Sequence, residues 1–138
     1  MQEKINWPII ALILVVFTIT GYFLLLNNNT EVERSFETIT TGTTEDGDVE
    51  ISLTPRYEGG VLKIDFSADT HTVSLGEHDL VEQAHLEVNG EKIQPTSAPS
   101  LGGHHVYGDL EFEVNSLDDN FKVVIEGIPN VEERTYEW

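Results

Sequence analysis

Asp48-Val-Glu-Ile-Ser-Leu-Thr-Pro55 places Val49, Ile51 and Leu53 against Glu50, Ser52 and Thr54. An apolar residue at every second position is the signature of a strand with one buried face. Pro55 is expected to close it. The period recurs on both sides of the molecule's later turns. After Gly59-Gly60, Leu62, Ile64 and Phe66 alternate with Lys63 and Asp65, and Asp69-Thr-His-Thr-Val-Ser-Leu75 continues the pattern. Leu80, Val81 and Ala84 also fit helical spacing. The Asn89-Gly90 hairpin signal nevertheless favours a strand from Ala84, with Leu86 and Val88 inward and His85 exposed. Pro95–Gly103 reads as a loop. Leu110, Phe112 and Val114 then alternate with Glu111 and Glu113, and Phe121, Val123 and Ile125 follow the turn Ser116–Asn120. A last strand carries Tyr136 and Trp138, and a weak candidate lies at Phe36–Ile39. Seven or eight short strands with closely spaced turns predict an all-β domain over 48–138, an immunoglobulin-like antiparallel β-sandwich. The Cys…Trp…Cys hallmark of antibody domains is missing, so the expectation concerns architecture alone.

Upstream the chain changes character. Ile9–Leu26 is an uncharged apolar run of eighteen residues. As a helix it covers roughly 27 Å, close to the hydrocarbon thickness of a bilayer. Pro8 suits a first helical turn, and Trp7 and Tyr22 are aromatic residues near the two ends. A cleaved signal peptide is the rival reading. The run exceeds an ordinary signal core, and it continues through Phe23-Leu24-Leu25-Leu26 beyond the small-residue pair Thr18 and Thr20. The uncleaved signal-anchor is therefore preferred. Lys4 precedes the run and no basic residue follows until Arg34, so the positive-inside bias puts residues 1–8 in the cytoplasm. The expected organisation is a short tail (1–8), a membrane helix (9–26), a polar connector (27–47) and the sandwich, held outside the cytoplasm at the cell membrane.

Composition narrows the chemistry. Residues 27–138 hold six of the seven Lys/Arg and 24 of the 25 Asp/Glu, so the formal charge of −18 falls entirely there. Such a surface repels nucleic acid and anionic headgroups and attracts cations. With no cysteine and one methionine, the initiator, thiol nucleophiles, thiolate zinc sites, iron–sulfur clusters and blue-copper ligation are excluded. Disulfides cannot staple the domain. Asn28-Asn29-Thr30 matches a glycosylation sequon beside the expected membrane boundary. Glu45-Asp-Gly-Asp48 lacks the spacing and closing glutamate of a calcium loop and reads as a turn.

All five histidines lie between 71 and 105: His71, His78, His85, His104 and His105. If 69–75 is one extended strand, Asp69 and His71 share the side of Val73 and Leu75. Counting back from Leu110 places His104 inward and His105 outward. Asp69, His71 and His104, joined by His105 where Gly102-Gly103 bends the chain, then form a candidate metal constellation. Imidazoles with a carboxylate suit a transition metal such as copper or zinc better than calcium or magnesium. The alternative is that these histidines pack and cap a sheet end.

Asp69-Thr-His-Thr-Val-Ser-Leu75, Asp79-Leu80, Gly102-Gly-His-His105 and Ile128-Pro-x-Val-x-Glu-Arg-x-Tyr-x-Trp138 together resemble an uncharacterised family of prokaryotic extracytoplasmic β domains. That family carries D-T-H-x-V-x-L and G-G-H-H motifs and a C-terminal aromatic strand. The resemblance covers roughly 48–138 and implies that His71, His104 and His105 belong to one feature. The family's loop before Gly-Gly often carries a tryptophan, and Pro95–Leu101 has none. Nucleophile elbow, Walker loop and dinucleotide fingerprint are all missing, so no enzyme is expected. Two functions remain: a membrane-anchored metal-capture or delivery module, or a structural or adhesive surface module without metal. A pilin-like filament lacks the expected leader processing site. The anchor reading has a direct check. The full chain should stay with membranes through alkaline carbonate washing, and deletion of 9–26 should release it. A mature form shortened to begin beyond Leu26 would instead establish cleavage.

Overall fold

The computed structural model describes residues 33–138 together with Tyr22, so the expected tail and membrane helix lie outside the described residues, Tyr22 apart. Among the described residues no helix is long and apolar enough to cross a membrane. The domain is all-β, with two antiparallel sheets. One contains β1 (Arg34–Ser35), β2 (Ile39–Thr41), β3 (Glu50–Glu58), β4 (Val61–Asp69) and β7 (His105–Glu113), in the order β1-β3-β4-β7 with β2 also on β3. The other runs β6-β5-β8-β9, from β5 (Ala84–Val88), β6 (Glu91–Ile93), β8 (Lys122–Glu126) and β9 (Glu133–Glu137).

Alternation explains why these segments pair this way. Leu62, Ile64, Phe66 and Ala68 on β4 are buried, as are Ile51 and Leu53 on β3 and Val106, Leu110 and Phe112 on β7. They meet Ala84, Leu86, Val123, Ile125 and Tyr136 of the other sheet in one core. Burying two sheet faces against each other is what makes a sandwich. Both tight hairpins are set by left-handed residues, Gly59-Gly60 (φ 59° and 83°) and Asn89-Gly90 (φ 54° and 77°).

Three local expectations change. Pro55 does not end its strand: Phe36 N–H donates to the Pro55 carbonyl at 3.0 Å, so Pro55 faces the gap between β1 and β2. A missing N–H costs no ladder bond there. Arg34–Ser35 and Ile39–Thr41, inside the stretch read as connector, belong to the sheet edge, with Ile39 opposite Leu53 and Arg34 opposite Tyr57. The strand starts at Ala84 as expected, and Leu80–Gln83 before it is one helical turn, capped by Asp79 accepting from Val81 N–H at 2.9 Å. His85 is 6% exposed rather than open, bonded to Glu87 at 3.1 Å.

An aromatic cluster closes the pole where the described chain enters. Phe36 meets Phe121 edge-on at 4.9 Å, Phe121 stacks on Trp138 at 5.2 Å, and Trp138 Nε1 donates to the Glu37 carbonyl at 2.8 Å. Near the opposite pole a charge is sealed inside. Arg134 faces inward beside Tyr136, its side chain wholly buried. It donates to Asp48 at 3.2 Å and to the Pro129 carbonyl at 3.2 Å. Burial opposes the Asp48 charge, but bonds from Val49, Arg134 and Thr43 prevail and hold its carboxyl at about 2.

Removing one partner of a buried pair leaves the other uncompensated. Arg134→Ala should therefore cost about 3–5 kcal/mol in urea unfolding, a scale set by other buried pairs. The Asp48 carboxyl is depressed on folding, so its contribution is complete above the unfolded value near 3.8 and disappears as pH falls toward 2. In Arg134→Ala the loss between pH 4 and 2 should shrink. An unchanged acid limb would refute the assignment.

Candidate functional site

β4 ends on Asp69 and β7 begins on His105, and the two are direct cross-strand partners. Both point outward, because the even-numbered residues of each strand take the core. His105 Nδ1 lies 2.6 Å from Asp69 Oδ1, and the imidazole is 61% exposed against 23% for the carboxylate. A carboxylate only accepts, so Nδ1 carries the hydrogen and Nε2 is left with its lone pair toward solvent. Tyr107, two residues along the same face, directs its hydroxyl at the same Asp69 oxygen from 3.5 Å.

Thr70 shapes the bend beyond β4. It is fully buried, its Oγ1 donates to the Asp48 carbonyl at 2.7 Å and accepts from Val73 N–H at 3.2 Å. Its own N–H donates to the His104 carbonyl at 2.9 Å, extending the β4–β7 ladder by one step. Thr72 Oγ1 accepts from Gly47 N–H at 2.8 Å. These bonds fold 70–74 over the sheet end, and a 3-10 turn at Leu75–Glu77 comes next.

The residues singled out in the sequence therefore come together in part. Asp69 and His105 touch, and His71 and His104 lie beside them along the backbone, both exposed. Asp69 and His71 do not face the core as expected, because β4 stops at Asp69 and the inward position passes to Thr70. His104 is not inward either: β7 starts at His105, so the alternation counted back from Leu110 ends one residue short of His104, which adjoins the bend at Gly103 (φ 74°). His105 is outward, as the alternation required. Among the described residues no group of three or more His, Asp or Glu side chains is placed to hold a metal ion. Tyr107 and Thr70 were not singled out in the sequence. The same alternation that exposes His105 exposes Tyr107, whereas no local pattern marks Thr70 as the bolt of the loop.

No protein-family model matches the chain, and comparison with curated proteins and with solved structures likewise finds no match.

Thr70→Val keeps the shape and removes the hydroxyl, leaving the Val73 N–H without its acceptor. Such a loss costs about 1–3 kcal/mol. Thermal unfolding should report that decrease, and amide exchange at Val73 should accelerate while that of Ile64 changes only with global stability. Equal exchange at Val73 in both proteins would remove Thr70 from this role.

Proposed function

We propose that this protein is a membrane-anchored, extracytoplasmic β-sandwich of immunoglobulin-like type that captures a transition metal ion, copper or zinc, at its histidine pole. The strand order supports the immunoglobulin-like reading: β3-β4-β7 lie against β6-β5-β8-β9, and the chain crosses between sheets after β4, β6 and β7. The apolar run at 9–26 supports the anchor.

One observation carries the metal reading, the 2.6 Å contact between Asp69 and His105. A carboxylate holding one ring nitrogen of an exposed histidine fixes the tautomer and turns the other nitrogen outward as a ligand. In this reading His105 Nε2 is the primary ligand, Asp69 orients it, and His71 and His104 close in from the adjoining bend when an ion arrives. The strongly acidic domain raises the local cation concentration. A site assembled only on binding suits capture and release better than permanent structural coordination, which needs a closed ligand set. The role is binding, not catalysis.

The lack of a preformed three-ligand group among the described residues favours a second reading, a structural or adhesive surface module. Equilibrium dialysis of the detergent-solubilised full chain against Cu²⁺ and against Zn²⁺ separates the two. Near-stoichiometric uptake with a raised melting temperature is expected. His105→Ala should abolish it, and Asp69→Asn should weaken it about 10–100-fold, the scale of outer-shell effects. No uptake, or uptake indifferent to both substitutions, returns the protein to the structural reading.

A further inference from the structure

The outward face of the five-stranded sheet carries an ordered array of hydroxyl groups. Thr40, Ser52, Ser67 and Tyr107 stand opposite one another across four neighbouring strands. Strands lie about 4.8 Å apart, so this row is roughly 14 Å long. Thr40 and Ser52 share a hydroxyl–hydroxyl bond of 2.7 Å, and Thr38 and Thr54 share another of 2.7 Å alongside. A shallow groove of about 450 Å³ is lined by Thr38, Ser52, Thr54, Ser67, Tyr107 and Asp109, with Asp65 in its floor.

Two properties set this face apart in so acidic a domain. Each carboxylate lining the groove has a cation beside it: Asp65 has Arg56 at 2.7 Å, and Asp109 has Lys63 at 2.7 Å, a lysine that also meets Glu111 at 3.5 Å. Tyr107 is 71% exposed, the most exposed large hydrophobic residue among the described ones. Its ring stands at the end of the hydroxyl row, and Pro99 packs against the next residue, Gly108.

We propose that this face is a binding site for a neutral glycan. A sugar ring offers what the surface asks for. Its C–H face lies on the phenol ring, which combines an apolar body with a polar tip. Its hydroxyls exchange donors and acceptors with Ser52, Ser67 and Thr54, and with Asp65 and Asp109, each held in place by its cation. A protein partner would meet a poor match, because interface cores gather several aromatic and aliphatic side chains and this groove exposes one, Tyr107. An anionic polysaccharide would be repelled by the remaining charge of the domain. The site is separate in chemistry from the metal reading and does not rest on it, although Tyr107 adjoins Asp69.

The test is affinity electrophoresis of the detergent-solubilised full chain, with chelator present, through gels containing a soluble β-glucan, a mannan, an arabinogalactan or polygalacturonate. Retardation by at least one of the neutral polymers, and none by polygalacturonate, is expected. Tyr107→Ala should weaken it at least tenfold, while Tyr107→Phe, which keeps the ring, retains most of it. His105→Ala should leave it unchanged, so failure of the metal reading and of this one are distinguishable. Tyr107 is exposed, and the melting temperature of each variant shows that the fold persists. No retardation in any neutral gel, equal retardation of Tyr107→Ala, or stronger retardation by polygalacturonate would overturn the proposal.

Discussion

A guanidinium sealed between two sheets is the constraint on which the rest of this domain depends. Arg134 occupies an inward position of β9 that its neighbour Tyr136 would lead one to expect apolar, and its Nε has no partner. Such a charge is tolerable in a core only while its bonds are complete enough to offset desolvation. Asp48, the Pro129 carbonyl and Thr41 at 3.4 Å supply them. Three separate parts of the chain are thereby held to one group: the end of β2, the approach to β3 and the turn before β9. The consequence reaches the histidine pole, because the Asp48 carbonyl accepts from Thr70 and Thr70 shapes the bend that carries His71. Core electrostatics and site geometry form one connected chain of bonds.

The surface obeys a different rule. With 25 acidic residues against seven basic ones, most carboxylates have no cation to meet and are left to water. The few cations are therefore informative. Lys63 and Arg56 serve the outer face of the first sheet, and Lys122 and Lys92 converge on Glu87 at 2.9 and 3.3 Å on the second. The bond from Lys122, then that from His85, hold the Glu87 carboxyl down at about 2. Surface pairs of this kind add little to stability. Their effect is to lower the net charge locally on a molecule whose overall field is strongly negative. The histidine pole differs again: His71, His104 and His105 are exposed there, and His105 is bonded to Asp69.

The two poles of the sandwich also differ in what holds them. Where the described chain enters, three packed rings and the Trp138–Glu37 bond join the edge strand to the second sheet. At the other end polar bonds dominate, and the backbone bends sharply enough to expose three histidines around one sheet end. From Leu62, opposite Tyr57, to Asp69 the separation is seven steps of β4, roughly 23 Å. Within the domain, one pole is thus held by apolar ring packing and the other by polar bonds.

The longer strands, most of their inward residues and the hairpin at Asn89-Gly90 were legible in the sequence, because burying one face of a pleated strand imposes a local period of two. The same count correctly exposed His105. It misplaced Asp69, His71 and His104 because it assumed strands running on past Asp69 and beginning before His105, and a bend of one residue turns every later side chain to the other face. It saw only a weak candidate at Phe36–Ile39 where two edge strands too short to show a period, Arg34–Ser35 and Ile39–Thr41, are found, and it missed the burial of Arg134 and His85, whose surroundings come from elsewhere in the chain. Apolar burial is a property each segment carries by itself. Which carboxylate meets which imidazole is a property of register, and register exists only once the strands have paired.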